Sequence, residues 1–91
     1  MKRGVAERGR PPPRLVLYSR SYCHLCDEMR AALEALRQEL TFDLEVVDVD
    51  SDPALERRYD ALVPVLVHRG RELARWRLDP AAFRARLSDI G

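Results

Sequence analysis

Two cysteines, Cys23 and Cys26, stand two residues apart in Arg20-Ser21-Tyr22-Cys23-His24-Leu25-Cys26, and the chain has no others. They fall between a short apolar run and a helical stretch. At a helix start this spacing lets the two sulfurs meet with little strain. The chemistry it suits is reversible disulfide exchange, because the attacking thiolate is stabilised at a helix N-terminus. Cys23 is the expected attacking thiol and Cys26, one turn deeper, the expected resolving thiol. Their neighbours bear on the thiolate. Asp27, four residues after Cys23, shares its helix face and would raise that thiol's pKa. A protonated His24 would favour the thiolate, and a His24 turned to solvent would not. Tyr22 either lines a substrate groove or packs at its rim. His68 has no cysteine near it in sequence and reads as a structural or exposed strand residue.

The elements that must position this pair can be read from periodicity and breakers. Leu15-Val16-Leu17-Tyr18 is a continuous apolar run, short enough for a strand buried on both faces. From about Cys23 to Leu40, Leu25, Met29, Ala32, Leu33, Leu36 and Leu40 recur at helical spacing, with Arg30, Glu34, Arg37 and Glu39 outward. Residues Phe42 to Val49 are rich in β-branched and aromatic types and predict a second strand. Asp52-Pro53 reads as a helix N-cap followed by proline in the first turn, with Leu55, Tyr59 and Leu62 facing inward. Val63-Pro64 interrupts that helix. Val65 to His68 and Glu72 to Arg77 then make a hairpin around Arg69-Gly70. Trp76, on the outer strand, is expected in core or sheet-face packing. Asp79-Pro80 starts a last helix, with Phe83, Leu87 and Ile90 inward. The order β-α-β-α-β-β-α predicts an α/β fold: a four-stranded mixed sheet flanked by helices, the first two strands parallel and the last two antiparallel.

Composition narrows the function classes. Ninety-one residues make one domain with a small core. The chain is 46% hydrophobic and 34% charged, a folded rather than a disordered composition. A formal net charge of +1 gives no field that draws it to nucleic acid or to a membrane surface. Lys2 is the only lysine among many arginines, a bias we ascribe to genome composition. Two cysteines are too few for a disulfide-stapled secreted scaffold. No apolar run is long enough to span a bilayer, and no apolar segment follows the basic N-terminal residues as a secretory signal requires, so a cytoplasmic location is expected. No exposed apolar stripe stands out, so a monomer is expected. Residues 1–13, basic and ending in Pro11-Pro12-Pro13, read as a flexible tail ahead of a domain over 14–91.

A Cys-x-x-Cys beside a strand–helix–strand pattern reads as a thioredoxin-type redox motif. The chain resembles the thioredoxin superfamily, and within it the glutaredoxins, most closely the small bacterial glutaredoxin-like proteins with a C-H-L-C-D-E type motif. The match rests on Leu17-Tyr18-Ser19-Arg20 leading into Cys23-His24-Leu25-Cys26, on Val46-Val47-Asp48-Val49-Asp50, and on Val63-Pro64-Val65, and it spans Arg14 to the C-terminus. The resemblance implies a glutaredoxin-type fold and electron transfer through the dithiol. It also implies a cis Pro64 opposite the cysteines, with Val63 offering main-chain groups to a substrate, and a basic Arg20 able to pair with a substrate carboxylate or to stabilise the thiolate. The chain departs from the pattern at two places. His24-Leu25 replaces Pro-Tyr between the cysteines. Arg75-Trp76-Arg77-Leu78-Asp79 stands where glutaredoxins carry a Gly-Gly-x-x-Asp stretch for glutathione, so glutathione is an uncertain co-substrate and no other cofactor is implied.

Three functions fit these residues. The first is a thiol–disulfide oxidoreductase acting on protein or small-molecule disulfides. The second is an iron–sulfur or metal carrier, which needs ligands beyond two cysteines. The third is a thioredoxin-fold binding module without turnover. Visible absorbance and metal analysis of fresh anaerobic protein separate the second from the first. Partner binding that survives Cys23→Ser marks the third.

Overall fold

The computed structural model describes residues 11–90. Nothing is described for the first ten residues, so most of the tail expected over 1–13 lies outside the described residues. The elements run β1 (Arg14–Ser19), α1 (His24–Leu36), β2 (Asp43–Asp48), a 3₁₀ turn (Val49–Ser51), α2 (Pro53–Tyr59), a second 3₁₀ turn (Asp60–Leu62), β3 (Val65–His68), β4 (Arg71–Arg75) and α3 (Pro80–Ile90). The four strands form one sheet in the order β2-β1-β3-β4. β1 and β2 are parallel, with Leu17 beside Val46, because α1 carries the chain from one strand to the next. β1 and β3 are antiparallel, as are β3 and β4. This is the four-stranded mixed sheet that the pattern of elements predicts, in the arrangement that the resemblance to the thioredoxin superfamily implies. Among the described residues no helix is long and apolar enough to cross a membrane.

Side-chain alternation along β1 separates two clusters. Leu15 and Leu17, both fully buried, face α1 and α3. There they meet Met29, Leu33 and Leu36 of α1, Leu66 of β3, and Phe83 and Leu87 of α3. Tyr18 points the opposite way, toward α2, and joins Leu55 and Tyr59 in a smaller cluster around Cys26, Val49 and Val63. The sheet is therefore sandwiched, with α1 and α3 on one face and α2 on the other.

Local differences from the sequence reading have local causes. α1 stops at Leu36 rather than near Leu40, where the Gln38 and Glu39 N–H groups bond the carbonyls three residues back, Ala35 and Leu36, in place of the α-helical pattern. Leu40 still packs on the main core from the loop. Phe42 precedes β2 and Val49 follows it, and both are buried. Phe42 meets Phe83 edge-on at 5.4 Å, whereas Val49 enters the cluster beneath the cysteines. Both caps read from the sequence are present: the Asp52 carboxylate accepts from Ala54 N–H (2.9 Å) and that of Asp79 from Ala81 N–H (3.0 Å). The β3–β4 hairpin turns through Arg69 (φ 49°) and Gly70 (φ 80°), the paired positive φ that a two-residue hairpin matched to strand twist requires. β4 ends at Arg75, so Trp76 lies beyond the strand. It is 48% exposed rather than packed in the core. Its indole is held instead by a hydrogen bond from Nε1 to the Ala61 carbonyl (3.2 Å).

Candidate redox site

The loop after β1 delivers Cys23 to the N-cap of α1. Cys23 has extended backbone angles there, and its Sγ accepts the N–H of Cys26 at 3.1 Å. An N-cap side chain ordinarily satisfies one of the four N–H groups that a helix leaves unpaired, and serine, threonine or aspartate usually fills that place. Here the sulfur fills it. A thiolate at Cys23 would take the same hydrogen bond with a full negative charge, at the positive end of the helix dipole. Cys23 and Cys26 are joined in a disulfide, with Cα atoms 5.2 Å apart. The pair is asymmetric: Cys23 is half-buried, while Cys26 is 1% exposed and packs against Val49 and Val63.

Across from the pair, the second 3₁₀ turn ends at Val63, and the Val63–Pro64 peptide bond is cis. Val63 is buried against Cys26, and β3 begins only at Val65, so the Val63 main chain precedes the hydrogen-bonded ladder. The Pro64 carbonyl accepts from Trp76 N–H at 2.9 Å, which ties this loop to the segment after β4. Tyr18 and Tyr59 stack beneath, with ring centroids 4.3 Å apart and planes 17° apart. Burial, then the neighbouring Tyr59 hydroxyl, holds the Tyr18 phenol above its ordinary pKa, so it stays neutral and caps the cluster as a largely apolar surface.

Arg20 has partners the sequence did not indicate. Its guanidinium grips both Asp50 oxygens (Nη2–Oδ1 2.6 Å, Nε–Oδ2 3.2 Å) and reaches the side chain and the carbonyl of Asp60 (3.3 and 3.2 Å). Glu56 stands 3.9 Å away. The hydrogen bond from Arg20 holds the Asp50 carboxyl below its ordinary range, and the two aspartates hold the arginine charged. A substrate carboxylate pairing with Arg20 would have to compete with these acids. What Arg20 does is join the end of β1 to both 3₁₀ turns, closing the frame around Cys26, Val49 and Val63. The apolar pattern of the sequence could not reveal this, because the partners lie 30 and 40 residues away.

The remaining candidates separate. Asp27 is exposed in the first turn of α1, and its N–H bonds the Cys23 carbonyl (3.0 Å). His24 is exposed as the first helical residue. Tyr22 is fully solvent-exposed and left-handed (φ 58°), so it packs on nothing at the rim. His68 lies half-buried at the end of β3, as expected. Among the described residues no group of three or more His, Cys, Asp or Glu side chains is placed to hold a metal ion. Trp76, which bridges the Ala61 and Pro64 carbonyls, is the residue the sequence reading placed wrongly. The signal that could have found it is its position just ahead of the Asp79 cap, where a strand must already have ended.

Known proteins resemble this chain in sequence and fold. Residues 14–88 match a family described as glutaredoxin-like domain (DUF836). An uncharacterized protein of Mycobacterium tuberculosis is 32% identical over 78 residues, covering 80% of each chain. The solution structure of a Nitrosomonas europaea protein superposes with a TM-score of 0.74 at 39% identity, covering 85% of this chain and 93% of that one. The thioredoxin of Fasciola hepatica, 18% identical, superposes at 0.60 over 98% of this chain and 90% of its own, a likeness of fold alone. A glutaredoxin-like match over most of the chain, on a thioredoxin-like fold with a Cys-x-x-Cys pair at its helix start, establishes that this chain belongs to the glutaredoxin-like family.

Proposed function

We propose that the protein is a thiol–disulfide oxidoreductase that reduces protein or small-molecule disulfides, with Cys23 attacking and Cys26 resolving. One observation carries the reading: the two cysteines are unequal, with Cys23 half-buried at the N-cap where its sulfur accepts the Cys26 N–H, and Cys26 sealed beneath it. In the reduced protein the Cys23 thiolate attacks one sulfur of the substrate disulfide. That bond breaks, a mixed disulfide forms on Cys23, and the first substrate thiolate leaves and takes a proton from solvent. The Cys26 thiol then loses its proton and attacks the Cys23 sulfur, releasing the second substrate thiol and closing the Cys23–Cys26 disulfide. The substrate gains two electrons and two protons, the protein loses the same, and two equivalents of an external thiol, oxidised to their own disulfide, restore the dithiol.

Glutathione is a candidate for that external thiol. Asp79, the acid that aligns with a glutathione contact, accepts through Oδ1 from the Ala81 and Ala82 N–H groups at the start of α3. The glycines that would let glutathione approach the backbone closely are replaced by Arg75 and Trp76, which favours small-thiol exchange at Cys23 over a dedicated glutathione cradle.

The test equilibrates purified protein with glutathione buffers of varied poise and reads its mass after acid quench. The expected result is loss of two hydrogens at a defined poise, abolished by either Cys23→Ser or Cys26→Ser. No interconversion at any poise, in folded protein, overturns the reading and leaves a binding module.

A further inference from the structure

Among the described non-glycine residues, three have positive φ: Tyr22, Arg69 and Trp76. Arg69 is explained by the hairpin turn it makes with Gly70. The other two make no hairpin, and both are exposed aromatic residues: Tyr22 directly precedes Cys23, and Trp76 is bonded to the carbonyl of Pro64, the neighbour of the Val63 that packs on Cys26. At Trp76 the Arg77 N–H bonds the Arg75 carbonyl (2.7 Å) around a φ of 67°, a tight three-residue turn of the strained, positive-φ kind. A bulky residue in that conformation persists only where other contacts hold it there, and such positions gather at functional sites. Trp76 is held twice, by its main-chain bond to Pro64 and its indole bond to Ala61. These bonds stand the ring up as a half-exposed wall between the Val63–Pro64 loop and α1.

Behind that wall is a hollow of about 260 Å³ lined by Glu28, Met29, Ala32, Trp76, Arg77 and Leu78. Its lining is apolar at Met29, Ala32, Trp76 and Leu78 and carries one acid, Glu28, and one base, Arg77. On α1, Met29 lies six residues beyond Cys23, a rise of roughly 9 Å at 1.5 Å per residue. An extended chain covers that distance in about three residues. A disulfide as short as bis(2-hydroxyethyl) disulfide is too short to span that distance from Cys23, whereas roughly three or more extended residues of a polypeptide are long enough.

Resting on the oxidoreductase reading, we propose that this hollow is a specificity subsite: it takes an apolar side chain about three residues from the reacting cysteine of a polypeptide disulfide, with Trp76 as the wall that selects it. The substrate class is therefore a protein or peptide disulfide with a flanking apolar residue.

The test uses the reduced full chain and three substrates: a peptide disulfide with Leu three positions from the cysteine, the same peptide with Ser there, and bis(2-hydroxyethyl) disulfide. The expected preference for Leu over Ser is about tenfold in second-order rate, the order of effect that burying one such side chain produces. Trp76→Gly, which suits the left-handed backbone, collapses that ratio to below about threefold. Ala32→Gln, which fills the hollow from α1 and keeps Trp76, does the same. Trp76 is the only tryptophan, so the Leu peptide also shifts its emission on binding while the Ser peptide does not. Equal rates for the Leu and Ser peptides in the unaltered protein overturn the subsite but leave the oxidoreductase standing. So does an unchanged ratio in both variants. Failure of folded, reduced protein to react even with bis(2-hydroxyethyl) disulfide overturns both.

Discussion

The two clusters on either side of β1 are built from different materials. The larger one joins long aliphatic side chains and two phenylalanines from both flanking helices and the sheet, and none of its buried members is polar. The smaller one has only Cys26, Val49 and Val63 fully buried, framed by stacked tyrosines and by the ion pairs of Arg20. Burial of apolar surface stabilises in proportion to area, so the first cluster supplies most of the folding free energy. The second gains little from area. Two of its three buried members, Val49 and Val63, sit on single 3₁₀ turns, which would wander without directional contacts. The bidentate Arg20–Asp50 pair is such a contact: it adds little stability where solvent screens it, but it has one geometry. The contrast teaches that this fold keeps its stability on one face of the sheet and its precision on the other.

The contrast can be broken by experiment. Leu33 is fully buried at the centre of the larger cluster, and Leu33→Ala is expected to cost about 2–5 kcal/mol in urea unfolding. The cost should be the same for oxidised and reduced protein, because Leu33 touches only the stability core. Reducing the Cys23–Cys26 bond should cost less, about 2 kcal/mol, since it opens a loop of only four residues. A larger difference between the oxidised and reduced forms would mean that the disulfide, and not the leucine cluster, holds the fold.

Arg20→Gln should have the smallest effect and the most informative pH dependence. It removes the pairs to Asp50 and Asp60 and should lower the melting temperature at neutral pH. The Asp50 carboxyl is depressed in the folded protein by Arg20 and ordinary in the unfolded chain. Its contribution is therefore fully present above the ordinary carboxylate pKa of about 4, and it is lost as pH falls through the lower folded value. The melting-temperature gap between the two proteins should accordingly close in acid. A gap that stays constant from neutral pH to about pH 2 would show that Arg20 acts through packing and not through its charge.

Much of this was legible in the residue order. The leucine spacing of α1, the Asp-Pro starts of α2 and α3, and the Arg69-Gly70 turn all depend on neighbours within a few positions, and such signals survive in one dimension. The ends of elements were less legible. Phe42 and Val49 have strand-like side chains, yet each leaves the strand to enter a different cluster, and only the packing on either side decides where pairing stops. Trp76 was misplaced for a similar reason. Its side-chain type suits a sheet face, but the chain must turn before the Asp79 cap, and the indole finds its partner 15 residues back.

The sequence by itself determined the order of elements, the parallel and antiparallel pairings it entails, and a dithiol at a helix start, because local propensity and short spacings carry that information. Only the tertiary structure decided which acids hold Arg20, that Val49 and Val63 seal Cys26, and that Trp76 stands exposed, tied to Ala61 and Pro64. Hydrogen bonds and ion pairs act over a few ångströms, and in this chain those ångströms separate residues 15 to 40 positions apart.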